Sequence, residues 1–176
     1  FLKKVVKALP FAFTKNQRYD RLTEHVISKV CHTESNCADV GCHKGEILDL
    51  FLAASPQGQH FGFEPIPVLY KNLREKYASH PNCRFFDIAL SNRQGTSSFN
   101  YVVSNPSYSG LLKRRYDRPN EEDTQITVIT ETLDDIWPAD LRLDILKIDV
   151  EGGEQMVLEG ARETIIRWKP TIIFEH

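Results

Sequence analysis

The chain has 176 residues, a length typical of one domain with a substantial hydrophobic core. Hydrophobic residues make up 41% and charged residues 26% of it, as in an ordinary globular protein. The formal net charge of -2 argues against a nucleic-acid partner, and no stretch is long and apolar enough to predict a membrane span.

The first 32 residues carry two helical patterns. In residues 1–13 apolar side chains recur at helical spacing, with lysines elsewhere on the wheel: Leu2, Val5, Val6 and Leu9. The lysines interrupt the apolar run and no small-residue cleavage site follows, so an amphipathic helix that packs on the domain or a partner is expected, with a membrane-surface role as the alternative. A second stripe predicts a helix over 18–32: Leu22, Val26, Ile27 and Val30. We therefore expect residues 1–32 to pack as a helical segment on a core domain of residues 33–176, with the natural start upstream of Phe1.

The next part of the chain alternates short apolar strands with helices. Strands are predicted at 37–40, 60–63 and 84–89, with a glycine turn at 41–45 and helices from Ile47 and over 66–79. This β-α-β-α-β order predicts an α/β fold of the Rossmann-like class, with a mostly parallel sheet and helices on both faces.

The second half adds a pair of strands and a further β-α-β unit. The pair is predicted at 95–103 and 125–130, separated by a polar loop of about 20 residues, a length that indicates a functional or disordered segment. A buried strand at 144–150, a helix over 154–168 and a strand at 171–174 follow. Sheets of this class usually continue beyond this point, so a fold truncated at its C-terminus is expected.

Four cysteines are present, and none lies at C-x-x-C or zinc-site spacing: Cys31, Cys37, Cys42 and Cys83. Reduced thiols are typical of a cytoplasmic protein, which is the predicted location. No metal site is predicted.

The clearest functional pattern is D-x-G-x-x-x-G at Asp39, Gly41 and Gly45, where the first strand leads into a helix. Glycines there let a ligand approach the backbone, and the helix start presents free N–H groups. Glu64, about 23 residues after Gly41, ends the next strand and suits the hydroxyls of a ribose. Asp87 ends the third strand and suits an adenine amine.

The D-x-G-x-x-x-G pattern also discriminates between two kinds of cofactor. A dinucleotide site requires G-x-G-x-x-G, and an acid at Asp39 would repel a pyrophosphate while holding the ammonium of a methionine tail. S-adenosylmethionine is therefore favoured over a nicotinamide cofactor, and a nicotinamide oxidoreductase is the less favoured alternative. Taken singly, each acid could be a capping residue and each glycine a plain turn glycine.

A second pattern places Lys147, Asp149 and Glu151 at alternate positions of a buried strand. Buried charge is costly unless it is paired, so the simplest interpretation is an ion pair that holds the strand end. The functional interpretation places the two acids at the edge of the same cleft, beside a reacting group.

The chain resembles the FkbM-type methyltransferases over roughly residues 37–176. The resemblance depends on these segments: ADVGCHKGE, GFEP, DIALS, ETLDDI, LKIDVEGGEQMVLEGA and KPTIIFEH. It implies a class I methyltransferase fold that binds S-adenosylmethionine and methylates a hydroxyl of a sugar or other small molecule. A cofactor-binding but inactive docking module is the other alternative.

The resemblance also implies roles residue by residue. It assigns the following to the cofactor: Asp39, Gly41 and Gly45 in the loop, Glu64 at the ribose, and Asp87, Ile88 and Ala89 at the adenine. Neighbouring residues are also expected to bind the cofactor: Val40, Cys42, Pro65 and Asp149. Lys147, Asp149 and Glu151 match the motif beside the reaction centre. Cys42 and His43 stand where the family often has Ala and Asn.

The catalytic hypothesis is that Asp149 or Glu151 orients or deprotonates an acceptor hydroxyl, with Lys147 holding the acid. Two alternatives are a base at His176 and a metal held by Asp149, Glu151 and Glu175. The loop 104–124 is expected to cap the acceptor, through Tyr108, Lys113, Arg114, Arg115 and Tyr116. Its basic run suits an acidic or phosphorylated acceptor, or is simply a solvated turn. No oligomeric state is predicted.

Overall fold

The computed structural model describes residues 15–111 and 123–174, and for residues 15–17 it describes the backbone alone. The helices are Lys15–Val30 (α1), Glu46–Ala54 (α2), Pro67–Lys76 (α3), Leu133–Ile136 (α4), Glu154–Glu159 (α5) and Arg162–Trp168 (α6), with a 3₁₀ turn at Pro106–Tyr108. The strands are Cys37–Val40 (β1), His60–Phe63 (β2), Cys83–Phe86 (β3), Ile88–Leu90 (β4), Gly95–Val102 (β5), Asp123–Glu131 (β6), Ile145–Ile148 (β7) and Thr171–Phe174 (β8). The amphipathic helix predicted within residues 1–13 lies outside the described residues.

In the described part of the chain the main sheet has five strands in the order β3-β2-β1-β7-β8, and every neighbouring pair is parallel. The strand order reverses between β1 and β7, and ligands of open α/β sheets bind at the carboxyl ends of the strands at such a point. The register places Asp39 of β1 between Gly62 of β2 and Lys147 of β7. The predicted Rossmann-like α/β fold is confirmed.

Helices cover both faces of this sheet. On one face Ile27 of α1, Phe51 of α2 and Leu73 of α3 pack against the strands. On the other face Val157 of α5 and the side chain of Trp137, which follows α4, pack against the strands. Each large apolar side chain buried in this way contributes about 1.5–3 kcal/mol to folding. These two layers hold the strand ends, and therefore the site, in fixed positions.

A second sheet has the order β4-β6-β5. β5 and β6 are antiparallel from Gly95 opposite Thr130 to Val102 opposite Asp123, which confirms the predicted strand pair. The single strand predicted at 84–89 is wrong. Phe86 ends the pairing with β2, whereas Ile88 begins a parallel pairing with Ile129 of β6, so the chain changes sheets at Asp87.

The last β-α-β unit also differs from its prediction. The helix predicted over 154–168 is two helices, and the second has its own N-terminal acceptor, because the carboxylate of Asp134 accepts the N–H groups of Glu163 and Thr164. At the break the chain passes so close to Ser91 that a Cβ on Gly160 would lie 2.0 Å from the Ser91 carbonyl oxygen. The strand predicted at 144–150 ends at Ile148, so Asp149 and Glu151 lie in the turn that follows it. In the part of the chain that the structure describes, no helix is long and apolar enough to cross a bilayer.

Candidate active site

A cleft of about 690 Å³ opens where β1, β2 and β7 end. This volume is in the range of sites that hold a cofactor or drug-sized ligand. Most of the sequence-predicted site residues line it: Asp39, Val40, Gly41, Cys42, Glu64, Pro65, Ile88, Ala89, Lys147, Asp149 and Glu151. Two are not among the lining residues. Gly45 packs behind the loop, against Tyr77, and Asp87 is exposed between β3 and β4.

The turn after β1 depends on Gly41. Its φ of 81° is in the left-handed region, and a Cβ on it would lie 1.9 Å from the carbonyl oxygen of Asp149. Its N–H donates to the carbonyl of Phe63 at 3.0 Å. Glycine is therefore required for the ends of β1 and β7 to approach each other, and the approach brings the two functional patterns to one place.

Asp39 is a buried acid at the end of β1, and its side chain is not fully paired. It is 2% exposed, and its Oδ2 has no hydrogen-bond partner among the described residues. Burial raises the pKa of Asp39 to about 7; the ammonium of Lys147 lowers it, while the carboxylates of Asp149 and Glu64 raise it further. A cationic ligand group beside Asp39 would stabilise its charged form.

Glu64 is a second buried acid, held in a fixed orientation at the end of β2. Its Oε2 accepts the backbone N–H of His43 at 2.9 Å, and its Oε1 accepts the N–H of Ile66 at 3.0 Å. Burial raises the pKa of Glu64 to about 7, although these two backbone donors lower it. Each carboxylate oxygen keeps a further lone pair with which to accept a hydrogen bond.

The three charges of the second pattern lie together at the end of β7. Lys147 is 2% exposed, and its Nζ lies 3.5 Å from Oδ2 of Asp149. The Asp149 side chain is 39% exposed, so one end of this ion pair reaches the cleft. Glu151 follows with φ of 52° and also lines the cleft. The ion pair of the simplest sequence interpretation is therefore present, and it borders the cleft.

The structure adds lining residues that sequence reasoning missed. One turn of α1 contributes Asp20, Arg21, Thr23 and Glu24. Phe99 of β5 and Leu111 line an apolar part of the wall together with the 3₁₀ turn at Pro106–Tyr108. Tyr108 was predicted to cap the acceptor, and it does line the cleft. Lys113, Arg114, Arg115, Tyr116, Glu175 and His176 lie outside the described residues.

His43 also lines the cleft, with φ of 46°. Its Nε2 is buried and makes no hydrogen bond to any residue that the structure describes. Burial lowers the pKa of His43, helped by the charge of Lys44 and opposed by Glu46 and Asp149. Within residues 15–111 and 123–174, no group of three or more His, Cys, Asp or Glu side chains could hold a metal ion.

Comparisons with a family model and with individual proteins match methyltransferases. Residues 39–176 match the methyltransferase FkbM domain. The 2-O-methyltransferase NoeI of Sinorhizobium fredii is 30% identical over 73% of this chain, and the match spans 58% of that protein. The methyltransferase sdnD of Sordaria araneosa is 25% identical over 82% of this chain and 74% of that protein. An rRNA methylase from Streptococcus thermophilus shares the fold, with a TM-score of 0.51 and 8% identity over 89% of this chain and 67% of that one. Because the family match covers most of the chain, the protein belongs to the FkbM methyltransferase family.

Proposed function

We propose that this protein is an S-adenosylmethionine-dependent O-methyltransferase that acts on a small-molecule or sugar hydroxyl. The observation that carries the proposal is Oδ2 of Asp39, which has no hydrogen-bond partner within residues 15–111 and 123–174. This acid is 2% exposed and borders the cleft where the strand order reverses. A buried, partly paired carboxylate suits a ligand that brings its own ammonium group, as the methionyl part of this cofactor does.

The residues around the cleft fit the rest of the cofactor. Glu64 would accept the ribose hydroxyls, because its two oxygens are held by backbone donors at the end of β2. Ile88 and Ala89 would contact the adenine, since both are buried and line the apolar part of the wall. Val40, Gly41, Cys42 and Pro65 would line the central part. When bound, S-adenosylmethionine supplies a methyl group activated on a sulfonium sulfur.

The same geometry disfavours a nicotinamide cofactor. A dinucleotide places its pyrophosphate against the glycine turn after the first strand. Here the buried acid Asp39 immediately precedes that turn, and Glu64 donates no hydrogen bond while ionised. The two phosphates of a dinucleotide would lie close to the carboxyl groups of Asp39 and Glu64, which disfavours them.

Asp149 is the proposed base that removes the proton from the substrate hydroxyl to be methylated. Its side chain is partly exposed at the cleft, and the buried ammonium of Lys147 holds it from behind at 3.5 Å. Its backbone N–H donates to the carbonyl of Val40 at 2.9 Å, which fixes the turn relative to the cofactor loop. Glu151, two residues further along the turn, is the second acid that would orient the acceptor. Positioning of the two reactants and removal of one proton are the chain's contribution to methyl transfer.

The acceptor class is proposed from the relatives. NoeI is a 2-O-methyltransferase, which supports transfer to oxygen. The expectation that no nucleic acid is involved stays a prediction, since an rRNA methylase shares the fold. A cytoplasmic location likewise stays a prediction, based on cysteines that are free in the structure.

The test is a methyl-transfer assay over a panel of sugars, small hydroxyl compounds and an RNA oligonucleotide, with the methylated atom located by NMR. Asp149→Asn and Glu151→Gln should each lower turnover on the responding acceptor by a factor of about 100 or more, a size typical of a lost acid or base. Affinity for the cofactor should change little in Glu151→Gln.

Asp140→Asn is the matched control, because Asp140 is exposed and is not among the residues that line the cleft. Turnover equal to that of the unmodified protein in both cleft variants would rule out the proposed roles of the two acids. Loss of turnover on addition of a chelator would instead favour the metal-assisted alternative.

A further inference from the structure

Tyr77, the residue after α3, reaches across to the back of the cofactor loop. It is 4% exposed, and its hydroxyl oxygen lies 2.7 Å from the carbonyl oxygen of Gly45 and 2.7 Å from Oδ1 of Asp49. Both partners are acceptors, so the Tyr77 hydroxyl shares its single proton between them. A residue 32 positions further along the chain therefore fixes the end of the loop.

Lys76 makes a second connection beside the first. Its Nζ lies 2.7 Å from Oδ2 of Asp49 and 3.1 Å from the carbonyl oxygen of Lys44. The same ammonium lies 4.7 Å from the centre of the Tyr77 ring. Together the two side chains contact two successive loop carbonyls, and both oxygens of Asp49 have donors, so the negative charge of Asp49 near the start of α2 is compensated.

Gly45 leaves the beginning of α2 without a local cap. It is the N-cap residue, its φ is 77°, and the helix start has no side-chain cap hydrogen bond. A Cβ on Gly45 would lie 2.5 Å from the Tyr77 hydroxyl oxygen, so the close contact requires glycine. The Tyr77 hydroxyl donates to the Gly45 carbonyl and does not cap the free N–H groups of α2, so it holds the backbone of the helix start while those N–H groups stay open to a ligand.

The helix that Tyr77 holds begins at the cleft. Glu46 and Ile47 of its first turn line the wall, and the first N–H groups of an α-helix point away from the helix toward an acceptor. Asp39, whose buried Oδ2 is unpartnered among the described residues, lines the same wall just before the loop. The N–H groups at the start of α2 and the carboxylate of Asp39 therefore lie on either side of the loop. They match the carboxylate and the ammonium of an amino-acid tail, respectively.

We propose that Tyr77 is a positioning residue for cofactor binding. Through Gly45 and Asp49 it orients the start of α2 so that the helix N-terminus receives the carboxylate of the methionyl tail while Asp39 receives its ammonium. Tyr77 does not line the cleft, so it acts through the loop and not by contact with the ligand. The inference rests on the proposed function, since it assigns a partner to one part of the proposed cofactor.

The experiment compares two ligands that differ by one carboxylate: S-adenosylmethionine and decarboxylated S-adenosylmethionine. Isothermal titration gives the affinity of each for the unmodified chain and for Tyr77→Phe. The unmodified chain should prefer the carboxylated ligand. Tyr77→Phe should weaken S-adenosylmethionine binding by about tenfold, the effect expected for one lost hydrogen bond, and should leave the decarboxylated ligand within about twofold.

Tyr70→Phe is the matched control, because Tyr70 lies on α3, is half-buried and is not among the cleft-lining residues. It should change neither affinity. In turnover assays Tyr77→Phe should raise the KM for the cofactor and leave kcat at saturation unchanged.

Equal weakening of both ligands would show that Tyr77 merely supports the local structure, and the inference would be wrong. Unchanged binding of S-adenosylmethionine by Tyr77→Phe, or no preference between the two ligands in the unmodified chain, would also overturn it. Binding of neither ligand by the folded, unmodified chain would instead contradict the proposed function itself.

Discussion

Asp39 and Glu64 stand at the ends of adjacent parallel strands, and both are buried acids. Desolvation disfavours the charged form of a carboxylic acid, so burial raises the pKa of each to about 7. An acid that is only partly ionised near neutral pH binds a cationic group less well as the pH falls. Occupancy of the cleft should therefore depend on proton concentration in the neutral range.

We expect the affinity for S-adenosylhomocysteine, which carries the same ammonium group, to rise as the pH increases from about 5.5 to about 8.5. The physical reason is that Asp39 and Glu64 lose their protons in this range. Titration calorimetry at several pH values measures the effect. In Asp39→Asn the affinity should be lower at pH 8 and its pH dependence weaker, whereas Asp140→Asn should follow the unmodified curve. A flat profile for the unmodified chain would contradict the assignment of Asp39 to the ammonium.

The same pKa shifts have an opposite consequence for the ligand-free protein. Because the folded-state pKa of Asp39 lies above its usual value, the folded state binds protons more readily than the unfolded state between about pH 4 and pH 7. The stability contributed by protonated Asp39 is present below this range and is lost as the pH rises through the folded pKa. The ammonium of the proposed cofactor would offset this loss at neutral pH, and binding would then be favoured at a cost to the stability of the ligand-free fold.

At the scale of elements, most strands and the glycine turn could be predicted from the sequence, because they depend on residues that are adjacent in the chain. The apolar run of residues 37–40, followed by Gly41, predicted both β1 and the turn. The change of sheet at Asp87 could not be predicted, because it depends on the pairing of Ile88 with Ile129, which is distant in the sequence. Gly45 was predicted to contact the cofactor, yet it is not among the lining residues, since Tyr77 packs on it from behind.

Gly160 shows how a contact between elements overrides helix propensity. Its φ of -80° and ψ of -1° suit any residue, and alanine would ordinarily favour helix there by about 1 kcal/mol. The carbonyl of Ser91 occupies the space that a Cβ would take. Two short helices, α5 and α6, are present where one helix was predicted over 154–168, and glycine is required at the break between them.

Gly160→Ala should therefore destabilise the protein, by about 1–3 kcal/mol, a range typical of overpacking against a fixed neighbour. Chemical denaturation followed by circular dichroism measures the change. Arg162→Ala, two residues away at an exposed position of α6, is the control and should lie within about 0.5 kcal/mol of the unmodified protein. Increased stability in Gly160→Ala would contradict the close approach of the Ser91 carbonyl to Gly160.

At the scale of the whole molecule, the cleft combines parts that are far apart in the chain. The main sheet supplies the acids at its carboxyl edge, the β4-β6-β5 sheet supplies the apolar wall through Ala89 and Phe99, and one turn of α1 completes the lining. The acids were predictable, because strand ends meet at one edge of a parallel sheet. The contribution of α1 was not, since its position on the sheet is set by packing of Ile27 against the core.

Contacts between the two sheets also bring the segment after the 3₁₀ turn close to the turn after β7. Gly110, just after the 3₁₀ turn, approaches the turn after β7 so closely that a Cβ would lie 3.0 Å from the carbonyl oxygen of Glu151. The same segment is paired to β5 through Asn100, whose N–H donates to the carbonyl of Gly110 at 2.9 Å. The second sheet thus holds a wall of the cleft directly beside the proposed reaction centre.

The central claim is that the cleft binds S-adenosylmethionine, and the most direct measurement is calorimetric titration of the purified chain with S-adenosylhomocysteine and, separately, with NAD. Binding of S-adenosylhomocysteine with a one-to-one stoichiometry, and no heat from NAD, is the predicted result. A chain that is folded by circular dichroism and binds NAD, or binds neither compound, would contradict the account.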